Sequence, residues 1–406
     1  MKFAHIADVH IGCWRDPRLK ELSSLAFIKA IDDAISEKVD FILIAGDLFN
    51  TALPGIDQIK TVIRKLKHVK KAKIPVYYIA GSHDFSPSGK TMLDIIEEAE
   101  LGINVTKGNI NSEEKLVLEF TTDNKTGAKI TGMIGKRGML EKKFYENLDK
   151  TNLEEAIGFK IFMFHTALDE MKPEHLKDMA SSPASFLPKG FDYYAGGHVH
   201  IVSERKLPEH GYTRLVYPGP TFPANFSEIE KLGHGGYYIY EDGELKRKDL
   251  IIKKSLCKTI DVNKKTSEEA EKIIEESLEK ENCEDKIVLL RINGKLKSGR
   301  ANDINFKKII DNIYSMGAYF VMKNSTKISS EEFEIIQLEH GSVEEVEEKI
   351  INEHLGQIKN NFKSESSAVK ELIHILSSEK HEGEKVTDYE SRLKKEMDLF
   401  IKENSE

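Results

Sequence analysis

An α/β fold built on a mostly parallel sheet is expected from three features of this 406-residue sequence. Short apolar runs alternate with stretches whose apolar residues recur every three to four positions, the period of a helix lying on a sheet. The runs are continuous rather than alternating, as in strands covered on both faces. Acidic residues and histidines follow directly on the ends of the runs, and ligands in open α/β sheets gather at the carboxyl ends of the strands.

Taken in order, residues 2–7 and Phe41-Ile42-Leu43-Ile44-Ala45 read as buried strands. Ile74-Pro75-Val76-Tyr77-Tyr78-Ile79-Ala80 reads the same way, with the proline at the strand entrance. Helical spacing over about 24–38 and 57–72 joins them into β-α-β-α-β, with right-handed crossovers. The pattern returns at Lys160–Phe164, which runs into His165, and at Tyr193–Gly197, which runs into His198. A β-rich segment holding Tyr217-Pro218-Gly219-Pro220 and Gly235–Tyr240 closes a first domain, residues 1–240. Residues 241–330 form a smaller α/β unit, with strands near 257–262, 286–293 and 318–323 and helices near 267–280 and 303–315. From 331 to 406 the chain is helical, with apolar stripes near 343–358, 367–378 and 387–402.

The net charge of −8 is unevenly spread: −1 over residues 1–240, +3 over 241–330 and −10 over 331–406. An acidic tail repels nucleic acid and suits a protein partner. In the middle unit Arg291, Lys295, Lys297, Arg300, Lys307 and Lys308 read equally as a solvated face or a phosphate-contacting one. No apolar run has the roughly 18–20 residues of a membrane span. Cys13, Cys257 and Cys283 form neither a disulfide framework nor a zinc pattern, so reducing cytoplasm is the expected compartment.

Five clusters carry the chemistry: Asp8-Val9-His10, Gly46-Asp47, Gly81-Ser82-His83-Asp84, His165 and Gly197-His198-Val199-His200. Carboxylate and imidazole ligands suit divalent manganese, iron or zinc, and there are more of them than one ion needs. A pair of ions is the expectation, with Asp47 as a bridge; a pair suits phosphoester cleavage because it activates water and neutralises the charge of the phosphate. His198 and His200, like Asp8 and His10, are two apart, so in extended backbone they project to one side. His83 is the remaining imidazole; facing the leaving oxygen it acts as general acid, with Asp84 holding its tautomer. The other nine histidines, among them His68, His175, His340 and His374, are read as ordinary structural residues.

These motifs, Asp-x-His, Gly-Asp, Gly-x-His-Asp, His and Gly-His-x-His, resemble those of the calcineurin-like metallophosphoesterases. Within that superfamily, residues 1–12 and 41–49 resemble the SbcD-type nucleases of double-strand-break repair. The resemblance implies a metallophosphoesterase sandwich with a small α/β DNA-capping domain and a helical tail. It implies manganese-dependent 3′-to-5′ exonuclease action on double-stranded DNA and endonuclease action on single strands. One ion would be held by Asp8, His10, Asp47 and His200, the other by Asp47, residue 82, His165 and His198, with His83 catalytic. Residues 331–406 would bind an SbcC-type coiled-coil ATPase, and the protein would be a homodimer in the cytoplasm, associated with the nucleoid. The dimer would form through helices near 57–72 and 90–101, with Ile59, Ile63, Ile95 and Ile96 near the seam. Two departures stand out: Ser82 occupies the place of a family asparagine and Pro220 that of a serine. Serine is a weaker donor, so loose binding of the second ion is expected. Other calcineurin-like enzymes, phosphatases or cyclic-nucleotide phosphodiesterases, and a scaffold with a weakened site remain as alternatives; the former would not call for residues 241–330 or the long tail.

Overall fold

Strand β1 (Lys2–Ile6) sends Phe3 to one side and Ala4 and Ile6 to the other, and all three are fully buried. This two-sided burial, repeated along the chain, arranges residues 1–250 in layers. The computed structural model describes residues 1–85, 91–136, 138, 140–331, 351, 365–378, 380, 384 and 386–404.

The first sheet runs β15-β14-β1-β2-β3-β4, with β2 (Phe41–Ala45), β3 (Val76–Ile79), β4 (Ile103–Asn104), β14 (Gly235–Glu241) and β15 (Glu244–Leu250). Strands β1 to β4 are parallel, while β14 and β15 add an antiparallel hairpin beside β1. The second sheet runs β12-β13-β11-β10-β8-β7, from β7 (Thr121–Thr122), β8 (Lys129–Gly132), β10 (Lys160–His165), β11 (Tyr193–Gly197), β12 (Val202–Leu207) and β13 (Tyr212–Pro218). A side sheet joins β5 (Gly108–Ile110), β6 (Leu116–Leu118) and β9 (Leu148–Asp149).

The two large sheets face each other across Phe3, Phe41, Leu43, Tyr77 and Ile79 on one side and Ile161, Met163, Tyr193 and Val216 on the other. Behind the first sheet lie α1 (Pro17–Ser36), α2 (Ile56–Lys71) and α3 (Leu93–Glu98), packed through Phe27, Ile31, Val62, Leu66 and Ile96. Behind the second, Phe162, Phe164 and Tyr217 pack on Tyr145 of α4 (Lys142–Glu146) and Leu153 of α5 (Thr151–Glu155). The α/β sandwich expected from the sequence is what forms.

Helix α1 starts seven residues before the expected position. Asp16 accepts a hydrogen bond from the Arg18 amide and Pro17 opens the first turn, a start signal that apolar spacing alone passes over. The four isoleucines expected near a dimer seam mostly face inward: Ile96 is 3% exposed and Ile59 and Ile63 pack on the core, so only Ile95 is open to solvent.

After the sandwich come β16 (Ser255–Asp261), α7 (Ser267–Leu278), β17 (Ile287–Leu296), α8 (Phe306–Ser315) and β18 (Phe320–Ser330), in the order read from the sequence. They form a three-stranded sheet, β16-β17-β18, with a core of Ile260, Ile274, Leu290, Ile292, Ile309 and Ile313. Between β13 and β14, α6 (Phe226–Leu232) touches this unit. Two of the basic residues that read equally as solvated or phosphate-contacting are paired within the chain. Arg291 pairs with Glu230 and Lys308 with Glu271 and Glu275.

Residues 329–406 form a separate compact unit. Its helices Glu365–Leu376 and Val386–Asn404 meet through Ala368, Ile375 and Phe400. The helix expected near 343–358 lies, save for residue 351, outside the described residues. Among the described residues no helix is long and apolar enough to cross a membrane.

Candidate metal centre

All five clusters meet where the parallel strands of both sheets end. Asp8 follows β1, Asp47 follows β2, Ser82 and His83 follow β3, His165 ends β10, and His198 and His200 follow β11. The turns that bring them in are tight. Gly46 has φ +85°, and a Cβ there would fall 2.2 Å from His165 Nδ1. A Cβ on Gly81 would fall 2.2 Å from Asp47 Oδ1.

The backbone corrects the expectation of extended segments. Asp8, His10, Asp47, His198 and His200 all have positive φ, between 47° and 100°. These are left-handed positions that non-glycine residues adopt at a cost of about 1–3 kcal/mol each, and such strain gathers at functional sites. His198 and His200 are therefore aimed by strained turns, not by strand alternation.

Hydrogen bonds fix the ring orientations. His165 Nδ1 lies 2.9 Å from the Ala45 carbonyl, so it carries the proton and Nε2 presents a lone pair. That Nε2 has no hydrogen-bond donor and lies 3.1 Å from Asp47 Oδ2, itself an acceptor. His200 Nδ1 donates to Glu228 Oε1 at 2.9 Å, which turns Nε2 toward His10 Nε2, also 2.9 Å away. His10 Nε2 is in turn 3.5 Å from Asp47 Oδ2. Lone pairs facing lone pairs and a carboxylate in a buried site call for cations between them.

Three groupings have ligand atoms close enough for one ion: Asp8, His10 and His200; His10, Asp47 and His83; and Asp8, Asp47 and His165. Asp8, His10 and Asp47 each occur in two of them, so the groupings form one connected cluster. His198 joins none of them. Its backbone amide donates to Asp8 Oδ1 at 2.8 Å and its ring packs edge-on against His165, with centroids 5.1 Å apart. The buried Ser82 donates its hydroxyl to Asp47 Oδ2 at 3.4 Å.

The electrostatics show what the site lacks without cations. Burial, then the neighbouring His200, lowers His10 to about 3; burial, then His165, lowers His198 to about 3. Burial also opposes charge on His165, but Asp47 beside it raises it to about 10. His200 rises to about 9 because its bond to Glu228 outweighs burial. Asp47 is buried too, yet His165 and His10 hold it well below the carboxylate range. Carboxylates thus raise His165 and His200 where divalent ions would supply the balancing charge, and the donor set fits such ions.

His83 sits beside this cluster, its ring edge-on to His10 with centroids 4.8 Å apart. Its amide donates to Asp47 Oδ1 at 2.7 Å and its Nδ1 to the Asn50 carbonyl at 2.8 Å. Asn50, not Asp84, therefore fixes the His83 tautomer, which corrects the role expected for Asp84. Asp84 instead accepts from the amides of Gly81, Leu48 and Phe49, tying the loop after β2 to the loop after β3. Burial, then the charge of Asp47, pushes its carboxyl up to about 7.

Asn50 and Glu228 were missed by sequence reasoning. Asn50 acts through its carbonyl, which any residue has. Glu228 carries a helix-start signature with Asn225, but its reach to His200 spans 28 residues.

A four-layer sandwich with clustered carboxylates and imidazoles at the strand ends defines a metal-dependent hydrolase. Residues 1–202 match the calcineurin-like phosphoesterase model and belong to that family of hydrolases. The chain is 27% identical over 253 residues to the DNA double-strand break repair protein Mre11 of Methanococcus maripaludis, covering 59% of this chain and 62% of that one. It is 24% identical over 439 residues to the protein of the same name from Archaeoglobus fulgidus, covering 98% and 95%. An uncharacterized metallophosphoesterase, YhaO of Bacillus subtilis, is 26% identical over 59% of this chain and 57% of its own length. The match spans less than two thirds of the length of the first and third of these relatives.

Proposed function

We propose that this chain is a manganese-dependent DNA nuclease of double-strand-break repair, acting as a 3′-to-5′ exonuclease on duplex and an endonuclease on single strands. The observation that carries the reading is the buried convergence of Asp8, His10, Asp47, His165 and His200 with His83 at its margin. The likeness to proteins named for DNA double-strand break repair directs it toward DNA.

Asp8, His10, Asp47 and His200 would hold one ion, and Asp47, Ser82, His165 and His198 the other. Two such ions supply a nucleophile at neutral pH and neutralise charge on the phosphate. His165 and His200, their Nδ1 protons engaged by Ala45 and Glu228, keep Nε2 free to bind. His83, with Nδ1 bonded to Asn50, has Nε2 left to carry the proton that a leaving oxygen takes up. Asp84 holds the two loops that carry Asp47 and His83 in register.

Residues 241–330 serve in this reading as a DNA-capping unit, in which Lys295, Lys297 and Lys307 are exposed. Residues 331–406 bind an SbcC-type coiled-coil ATPase. The protein is a cytoplasmic homodimer, with Ile95 as the remaining candidate near the seam.

The test is a manganese titration of cleavage on linear duplex, single-stranded circles and a small chromogenic phosphodiester. Metal-dependent cleavage of both DNA substrates, lost in His83→Ala, is expected. Turnover of the small ester alone would replace the reading with that of a phosphodiesterase for small substrates, and no turnover with any divalent ion would leave a scaffold.

A further inference from the structure

Helix α6 has seven residues, and three consecutive ones bind three different parts of the molecule. Glu228 accepts from His200 Nδ1 at 2.9 Å and is itself fixed by the Ala224 amide at 2.7 Å. Ile229 is buried with Leu19, Leu22 and Ala26 of α1 and with Ile287 and Leu289 of β17. Glu230 makes a two-pronged pair with Arg291 of β17: Nε to Oε1 at 2.6 Å and Nη2 to Oε2 at 2.7 Å. The same guanidinium lies 5.1 Å from the centre of the Phe226 ring, at the other end of the first turn.

A two-pronged arginine–carboxylate pair is directional as well as strong. Here both partners are half-buried, with 17% and 23% side-chain exposure. The helix is too short to hold its own position in water and takes its place from these contacts. Its position in turn sets where the Glu228 carboxylate stands, and that carboxylate fixes both the tautomer and the tilt of the His200 ring. A carboxylate behind a ligating histidine raises the basicity of the ring and is worth about 10–100-fold in metal affinity.

We propose that Glu228 is a positioning residue for His200, and that α6 ties metal affinity at that position to the docking of the 255–330 unit through Glu230 and Arg291. The proposal rests on the reading of His200 as a metal ligand. Displacement of that unit, as by a nucleic acid drawn beneath it, would then alter the metal centre through α6 without touching a ligand.

The experiment is calorimetric titration of manganese into metal-stripped full-length protein, with melting temperature recorded for each variant. Glu228→Gln should weaken one site by about 10–100-fold. Glu230→Gln and Arg291→Glu should each weaken the same site by about 2–30-fold, the span of distal couplings. Glu230→Arg combined with Arg291→Glu should restore the affinity, which a general loosening of the fold would not. His200→Ala is the control. If it binds manganese as tightly as wild type, the ligand reading itself fails. If it binds weakly while Glu228→Gln binds normally, the positioning role is overturned. Unchanged affinity in both Glu230→Gln and Arg291→Glu would overturn the coupling to the 255–330 unit.

Discussion

Replacing Asp84 by asparagine separates the scaffold of the centre from its ligands. One Asp84 oxygen accepts from the Gly81 amide at 2.9 Å and the Leu48 amide at 3.3 Å; the other accepts from the Phe49 amide at 3.1 Å. An asparagine has one carbonyl oxygen. Placed toward Gly81 and Leu48 it keeps two bonds but turns its NH2 group against the Phe49 N–H. One hydrogen bond to a charged group is lost, worth about 1.5–3 kcal/mol, and a buried donor is left facing another donor. Together this is a loss of roughly 2–4 kcal/mol, more than surface substitutions give. For a domain of this size each kcal/mol moves the melting temperature by about 2–4 °C, so a fall of roughly 5–15 °C is expected. Calorimetric melting of the two proteins in the same buffer reads the difference. Metal affinity should fall as well, because the freed loops carry Asp47 and His83. A melting temperature within about one degree of wild type, with unchanged manganese binding, would refute the reasoning.

His83→Ala should lower the cleavage rate by at least about a hundredfold while bound metal is retained, and His198→Ala should lose metal; rate assays paired with elemental analysis separate the two. Because Ser82 offers a hydroxyl where an amide oxygen would reach further, Ser82→Asn should raise manganese affinity, and two equal, tight sites in the natural protein would count against this. Truncation after Ser330 should leave manganese-dependent cleavage intact and abolish capture by a coiled-coil ATPase partner; full retention in a pull-down would overturn the assignment of residues 331–406.

Much of the molecule was legible in the residues themselves. Phe41–Ala45 and Ile161–Phe164 lie in strands because continuous apolar runs of four or five have no other stable place than between two layers. Asp8, Asp47, His83, His165 and His198 could be placed at one end of the sheets because parallel strands bring their carboxyl ends to the same side. The β-α-β-α-β order of residues 255–330 followed from the switch between strand-like and helical periods.

What a sequence period cannot carry is decided by contacts between distant segments. The left-handed backbone at Asp8, His10, Asp47, His198 and His200 is imposed by turns packed between two sheets, and local preference argues against it. The part played by Asp84 depended on which donors lay within reach, and beside the nearby Gly81 amide those proved to be amides 35 and 36 residues away. Whether Arg291 faces solvent or a phosphate could not be read from its neighbours in sequence, because its partner Glu230 on α6 lies 61 residues away. The sequence by itself determined the elements and the ligand types, because those follow from local hydrophobic pattern and side-chain chemistry. Only the tertiary structure decided how each ligand is aimed and what holds it, because hydrogen bonds are satisfied by whichever groups the packing brings together.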